Sequence, residues 1–270
     1  ISKAISSMRR VAYVFPGQGS QSVGMLVPKS AEAKSAFEEA SDSLGYDMGA
    51  LISSGPEELL NQTEYTQPAL LTVSVALFRY AMSNGVDFPD VVLGHSLGEY
   101  AALVAAGAIR FEDAVKLVRK RGQYMQGAVP LGKGGMAAVI GLSDESVQEI
   151  CSAVTLESKK GVVEAANFNA PDQVVVAGDN ETLQVLIERC KKRGARRAIL
   201  LNVSAPFHCS LMKPAALKLQ ERLRETEIVA PKIPVVQNVS AAYETDPESI
   251  RRNLVDQIYT PSSLDGVDKN

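Results

Sequence analysis

The chain has 270 residues, 46% of them hydrophobic and 22% charged, with a formal net charge of −3. That is an ordinary globular composition with enough apolar residues for a sizeable core, and its slight acidity argues against broad nucleic-acid binding. Cys151, Cys190 and Cys209 are widely spaced and odd in number, so neither a metal set nor a disulfide framework follows and a reducing compartment is the default. No apolar run reaches the length of a membrane span. Residues 1–8 are set aside as a scar or the remainder of a targeting segment. A cytoplasmic location is expected, or an organelle stroma or matrix if that stretch has been processed.

Val11–Phe15 reads as an apolar strand, followed by the turn Pro16-Gly17-Gln18-Gly19-Ser20-Gln21. Helices are predicted at Ser30–Leu44, stopped by Gly45, at Pro56–Asn61, and at Thr66–Met82, broken by Asn84-Gly85. Val91-Val92-Leu93 is a short strand, and Glu99–Ala106 begins a helix. Phe111–Ala128 is amphipathic, with Val115, Leu117, Val118 and Met125 against Lys116, Arg119, Lys120 and Arg121. From Gly134 the rhythm changes. Strands are expected at Met136–Ile140, Val162–Asn167, Val174–Ala177 and Arg197–Val203, with helices at Ser143–Val154 and Asn180–Lys192. The order β-α-β-β-α-β is ferredoxin-like, and the glycine-rich Leu131–Gly135 in front of it marks an insertion. The fold class expected is therefore α/β: a mostly parallel three-layer core, α/β-hydrolase-like, over 9–130 and 203–270, with a ferredoxin-like subdomain inserted at 131–202.

Between strand and helix stands Gly94-His95-Ser96-Leu97-Gly98. A Gly-x-Ser-x-Gly turn in that setting is the pattern of a nucleophile elbow, in which the serine hydroxyl projects above the sheet and the helix N-terminus faces the reacting oxygen. It predicts acyl transfer through a serine ester; a serine-capped glycine turn is the plain alternative. Ser96 needs a base, and the chain has two histidines, His95 and His208. His95 adjoins Ser96 on the same sharp turn and points elsewhere. His208, in Ser204-Ala205-Pro206-Phe207-His208-Cys209-Ser210, is the candidate, placed where a strand ends and a helix begins.

The chain resembles the malonyl-CoA:acyl-carrier-protein transacylases and the acyltransferase domains of polyketide synthases. The resemblance runs over nearly the whole length, through Phe15–Gln21, Thr66-Gln67-Pro68-Ala69, Gly94–Tyr100, Arg121-Gly122, Asn167-Phe168-Asn169, Pro206-Phe207-His208 and Gln257. It implies Ser96 as nucleophile, His208 as general base and the backbone carbonyl of Gln257 as the acceptor that orients the histidine; the residues themselves leave a carboxylate partner open. It implies oxyanion-hole N–H groups from Gln18 and Leu97, where an ordinary glycine-rich turn is the bland reading of the Gln18 loop. Arg121 would clamp a malonyl carboxylate with paired hydrogen bonds, against the plainer reading of a solvated basic helix face. Asn167 and Asn169 would touch the pantetheine arm, or merely serve the following Asn-Ala-Pro-Asp turn. Phe207 would narrow the acyl site. Arg196 and Arg197, in a basic cluster that also reads as a helix end, would steer the acidic coenzyme and carrier protein.

The expected reaction is transfer of malonyl from malonyl-CoA to acyl-carrier protein in a ping-pong cycle, with no metal or cofactor. The expected protein is a monomer with no nucleic-acid or membrane partner. A serine thioesterase or hydrolase, a polyketide-pathway acyltransferase and a non-catalytic carrier-binding scaffold are the alternatives. After Gln257 the family continues with a Pro-Val-x-Trp-like stretch and a closing segment; Pro261 fits, and Ser262 and Leu264 do not.

Overall fold

The computed structural model describes residues 10–203 and 205–263. The expectations placed on residues 1–8 and from Leu264 onward lie outside the described residues. The fold is mixed α/β with two sheets, one largely parallel and one largely antiparallel.

The first sheet has the order β1 (Ala12–Phe15), β2 (Val91–Gly94), β7 (Val235–Val236), β8 (Tyr243–Glu244), the first three parallel and the last antiparallel. Between β1 and β2 run α1 (Ala31–Leu44), α2 (Met48–Ser54), α3 (Glu57–Leu60) and α4 (Thr63–Ser83). The chain continues with α5 (Leu97–Ala105) and α6 (Phe111–Gly127). The caps are local chemistry. The Ser30 hydroxyl takes the Ala33 N–H at the start of α1, and Gly45 closes it at φ 76°. The helix over Met48–Ser54 escapes a reading by periodicity because Gly49 and two serines imitate a loop; Asp47 nucleates it by accepting from Ala50 N–H at 2.8 Å. The fourth helix starts a turn before the expected Thr66 and carries Pro68 in its interior. Gln62 C=O accepts both Tyr65 N–H and Thr66 N–H, so its first turn is already wound when the proline arrives.

The second sheet comes from β3 (Gly134–Ile140), α7 (Asp144–Glu157), β4 (Val163–Ala170), β5 (Gln173–Asp179), α8 (Asn180–Lys192) and β6 (Arg197–Leu200). Its order is β6-β3-β5-β4, antiparallel throughout. The chain then leads through a 3₁₀ turn at Ser210–Met212 to α9 (Lys213–Glu225), and after β8 to α10 (Pro247–Asp256) and β9 (Ser262–Ser263). The last of these pairs parallel with β4, Asn167 opposite Ser262. Residues 262–263, which fall within the expected large unit of 9–130 and 203–270, thus pair with the edge of the second sheet. The sixth strand stops at Leu200 rather than Val203: Leu201 N–H still bonds Met136 C=O in register, and the chain then turns, Val203 N–H bonding back to Leu201 C=O.

Two apolar clusters fill the molecule. One packs α1, α4, α5 and α6 around the first sheet; the other lies between the second sheet and α7 and α8, with Val139, Val147, Val176, Leu183 and Cys190 at its centre. Met136, Val175 and Ala177, on β3 and β5, belong to the first cluster. They join the sheets on the side where the cavity described next opens.

Candidate active site

The elbow is built by close approach. A Cβ on Gly98 would overlap the Phe15 carbonyl, and one on Gly94 would overlap the backbone of Gly98, so the strand and α5 meet where only glycine fits. Ser96, between them, is driven to φ 53°, ψ −109°, a conformation rare for a residue with a side chain. Its backbone is held from across the fold. Ser96 N–H donates to Asn238 Oδ1 at 2.6 Å, Asn238 Nδ2 donates to Gly94 C=O at 2.7 Å, and Gln257 Nε2 donates to Ser96 C=O at 3.0 Å.

His208 meets the serine hydroxyl: Nε2 and Ser96 Oγ are 2.8 Å apart. Its other nitrogen, Nδ1, lies 2.8 Å from the carbonyl of Gln257. A carbonyl only accepts, so Nδ1 carries the ring proton and Nε2 is left bare toward Ser96. The orienting group is thus a neutral carbonyl and not a carboxylate. The histidine does not stand at a strand end, as expected, but eight residues beyond β6 on a loop where it takes φ 56°. Glu164 on β4 secures that loop through the N–H and hydroxyl of Ser210. Burial, with Arg121 and His95 nearby, pushes the His208 imidazole down to about 3, so it is neutral at ordinary pH. His95 contacts no hydroxyl of Ser96, and its ring stands 6.3 Å from that of His208.

Arg121 is not on a solvated face. It is 1% exposed and sits on the buried stripe of α6 with Val118, Gly122 and Met125. Its guanidinium donates to Gln67 Oε1 at 2.8 Å, to Gln257 Oε1 at 3.0 Å and to Ser96 Oγ at 3.1 Å, and lies over the Tyr100 ring. Gln67 passes the linkage on through Thr63 to the Gln18 side chain. Gln257, whose carbonyl alone was expected to matter, uses its side chain as well: Nε2 donates to Glu99 Oε2 at 2.8 Å. Glu99 is fully buried, and burial raises its carboxyl to about 7 against the pull of hydrogen bonds and Arg121.

Ser96, His208 and Arg121 open into a cavity of about 550 Å³ between the two sheets. Gln18, Leu97, Asn167 and Phe207 also line it, and the apolar wall is completed by Met125, Met136, Val175, Leu201 and Val203. Leu97 opens α5, so its N–H has no intrahelical acceptor. Two expectations are displaced. Asn169 is exposed and does not line the cavity, because the register of β4 against β5 shifts between Phe168 and Ala170 and breaks the alternation that would put it on the face of Asn167. Arg196 and Arg197 are exposed at the opposite end of β6: Arg197 pairs with Ile140, four residues along β3 from the cavity-lining Met136, or about 13 Å. Asn238 and the partnerships of Glu99 and Gln67 are the features that residue patterns do not reveal; Asn238 is 142 positions from the serine it holds. Among the described residues no cluster of metal-ligating side chains occurs and no helix is long and apolar enough to cross a membrane.

A strained serine, a neutral histidine and a buried arginine around one cavity form an acyl-transfer site, and the chain belongs to the acyl transferase domain family, whose model matches residues 12–265. Within it, the chain is 53% identical over 258 residues to the malonyl CoA-acyl carrier protein transacylase of Salmonella typhimurium, covering 94% of this chain and 82% of that one. An acyl carrier protein S-malonyltransferase from Vibrio cholerae superposes with a TM-score of 0.92 at 50% identity, over 96% and 84% of the two chains. A malonyl-transacylase solved in complex with its type II polyketide acyl-carrier protein gives 0.91 at 48% identity, over 94% and 82%.

Proposed function

We propose that this chain moves malonyl groups from malonyl-CoA to the thiol of an acyl-carrier protein through a malonyl-Ser96 ester. One observation carries the reading: the Ser96 hydroxyl lies within hydrogen-bond reach of both a neutral imidazole and a buried guanidinium. The first removes the hydroxyl proton as Oγ attacks the thioester. The second stands where the free carboxylate of a short acid-tailed acyl group arrives, two carbons from the carbonyl under attack. A simple hydrolase has no use for a buried cation at that distance.

In the first half-reaction His208 Nε2 accepts the Ser96 proton, the tetrahedral oxyanion forms at Gln18 N–H and Leu97 N–H, and the proton returns to the departing coenzyme A sulfur. The second half runs the same steps with the carrier thiol as nucleophile, a ping-pong cycle. The carboxylate also assists the base. By offsetting the charge of Arg121 it reverses part of what depresses His208. Asn167 is placed for the pantetheine arm. Phe207, which lines the cavity and is 7% exposed, limits the bulk of the acyl group. Arg196 and Arg197 are assigned to the acidic carrier rather than to the acyl group, and Asn169 to the mouth at most.

The strand order β6-β3-β5-β4 with α7 and α8 supports a ferredoxin-like subdomain over 131–202, lid-like over an α/β-hydrolase-like core of 9–130 and 203–270. The unit is read as a monomer serving malonyl-CoA and a carrier protein, with no nucleic acid or membrane and no bound cofactor.

Incubation with malonyl-CoA should add one malonyl mass to the intact protein, discharged on adding carrier protein that bears a free phosphopantetheine thiol, and Ser96→Ala should add none. An unmodified, folded wild-type protein would sink the reading. Arg121→Ala should erase the preference for malonyl-CoA over acetyl-CoA; equal losses with both would leave Arg121 a structural residue.

A further inference from the structure

Arg121 is a buried cation whose hydrogen-bond acceptors are all neutral: Gln67 Oε1, Gln257 Oε1 and Ser96 Oγ. Among the described residues no carboxylate forms an ion pair with it. A buried charge without compensation is costly, and the nearest offered by the network is Glu99. The Gln257 carboxamide spans the two, its oxygen accepting from Arg121 and its nitrogen donating to Glu99 Oε2. Asn238 N–H donates to the same carboxyl oxygen at 3.2 Å. The other, Oε1, is buried with no hydrogen-bond partner. Ionised, the carboxylate leaves that oxygen charged, desolvated and unpaired, so the charged form depends on Arg121 across the Gln257 carboxamide and gives way to the protonated form once Arg121 is neutralised by another anion. The groups facing Glu99 are Arg121 from α6 and Tyr100 from α5, with Gln257 and Asn238, both uncharged, from the far side of the elbow.

We propose that Glu99, relayed through the Gln257 side chain, is the counter-charge of Arg121 in the empty site, and that an acyl carboxylate arriving at Arg121 displaces it from that role, so that Glu99 takes up a proton from solvent as an acid-tailed acyl group binds. The inference rests on the reading that Arg121 receives the carboxylate. The balance is simple: one negative charge enters the buried cluster and one proton from water neutralises another, so the cluster's net charge is unchanged. An acetyl group brings no charge and moves no proton. Glu99 is thereby a specificity-setting residue that never touches substrate. It competes with the substrate carboxylate for the same cation, and that competition strengthens as Glu99 ionises. With its carboxyl raised to about 7, malonyl affinity weakens as the pH rises past neutrality. His95 and His208 also feel Arg121, but both are held below the usual imidazole range and stay neutral there.

Calorimetric titration of the Ser96→Ala protein with malonyl-CoA and with acetyl-CoA, near pH 7 in two buffers of different ionisation enthalpy, counts the protons directly. Malonyl-CoA should take up a proton, at most about one, and acetyl-CoA none. The malonyl-CoA Kd should rise by up to about tenfold from slightly acid to slightly alkaline pH, the effect of a one-unit shift in a carboxyl. Adding Glu99→Gln should abolish the uptake and flatten that dependence. No uptake with malonyl-CoA, or uptake that survives Glu99→Gln, overturns the proposal. If the double variant does not fold, infrared difference spectra of Ser96→Ala with carbon-13 malonyl-CoA replace it. A new protonated-carboxyl band from the protein supports the proposal, and its absence overturns it. Arg121→Ala keeps the two levels apart. A malonyl preference that depends on Arg121 but moves no proton sinks the Glu99 inference alone. A preference unaffected by Arg121→Ala sinks the carboxylate clamp beneath it.

Discussion

The conformation of Ser96 costs about 1–3 kcal/mol for a residue with a side chain, and Asn238 is placed to hold it. Its carboxamide bonds Gly94 C=O and Ser96 N–H as a neighbouring strand's peptide would, extending the β2–β7 pairing by one unit past the point where the backbone bends. Asn238→Ala should release the elbow. The expected result is a fall in kcat of about a hundredfold with a much smaller change in KM, and a malonyl-to-acetyl ratio that is unchanged. A variant that melts earlier but keeps kcat per folded molecule would make Asn238 structural only. The two buried titrating groups pull stability in opposite directions. His208 is depressed from 6.5 to about 3, so below pH 6.5 the unfolded chain binds a proton the native one refuses, and stability is lost as pH falls. Glu99 is raised from 4.5 to about 7, so the native state holds the extra proton, and stability is lost as pH rises through that window. The two windows overlap between pH 4.5 and 6.5 and offset each other there, so Glu99→Gln should remove the fall in Tm toward pH 7 and leave the His208 loss uncompensated from pH 6.5 downward, as thermal melts across pH would read. Ser96, His208 and Arg121 are legible in the chain because their chemistry lies in residue type. The Gln257 carbonyl is not, since every residue has one and only family likeness points to it. Asn238 and Glu99 act through partners that only the fold brings near.

At the scale of elements, α5 and α6 show why some placements could be read and others not. The stripe Val118, Arg121, Gly122, Met125 follows helical spacing, and extending it would have put Arg121 on the buried face. The adjacent Arg119 and Lys120 hide the signal by suggesting a uniformly basic surface. The second helix is hidden for the opposite reason, its glycine and serines looking like loop while a single Asp cap and a few buried residues decide the matter. The β-α-β-β-α-β run is legible because each strand and helix carries its own period and each turn its own breaker. That β9 joins the second sheet is not, because two serines have no strand character and pairing there follows from where α10 delivers the chain. Gly98 is a tight point between elements, where a Cβ would overlap the Phe15 carbonyl of β1. Gly98→Ala should push α5 off the sheet at a cost of about 1–3 kcal/mol. Because the displaced end carries Leu97 N–H and Ser96, activity should fall further than the lowered melting temperature alone explains. Full activity at the permissive temperature would show that the close approach serves packing only.

Across the whole molecule, the two sheets divide the work. Ser96, Gln257 and Arg121 are carried by the first sheet and the helices packed on it, and the second sheet closes the cavity with β3, β4 and β5. The margin of the first sheet is the weak point of the structure. The first strand pairs with β2 alone among the described residues, and Val14 on it is 63% exposed, with Leu77 of α4 beside it at 51%. Tyr13 and Phe15 pack edge-on against Phe78, so one face of the strand is held by α4. An open, apolar edge of this kind recruits a second strand, and natural sheets blunt it with charge, most often lysine. The described chain has no such charge between Ala12 and Phe15. Concentration-dependent self-association should therefore be the characteristic failure of this protein, arising at β1 and not at the cavity. Val14→Lys places a charge on the edge without touching the cavity wall, so it should lower the association seen by sedimentation while leaving kcat and KM for malonyl-CoA as they were. Association undiminished by Val14→Lys would move its origin to another surface, with the exposed Val86 and Phe88 ahead of β2 the next to change.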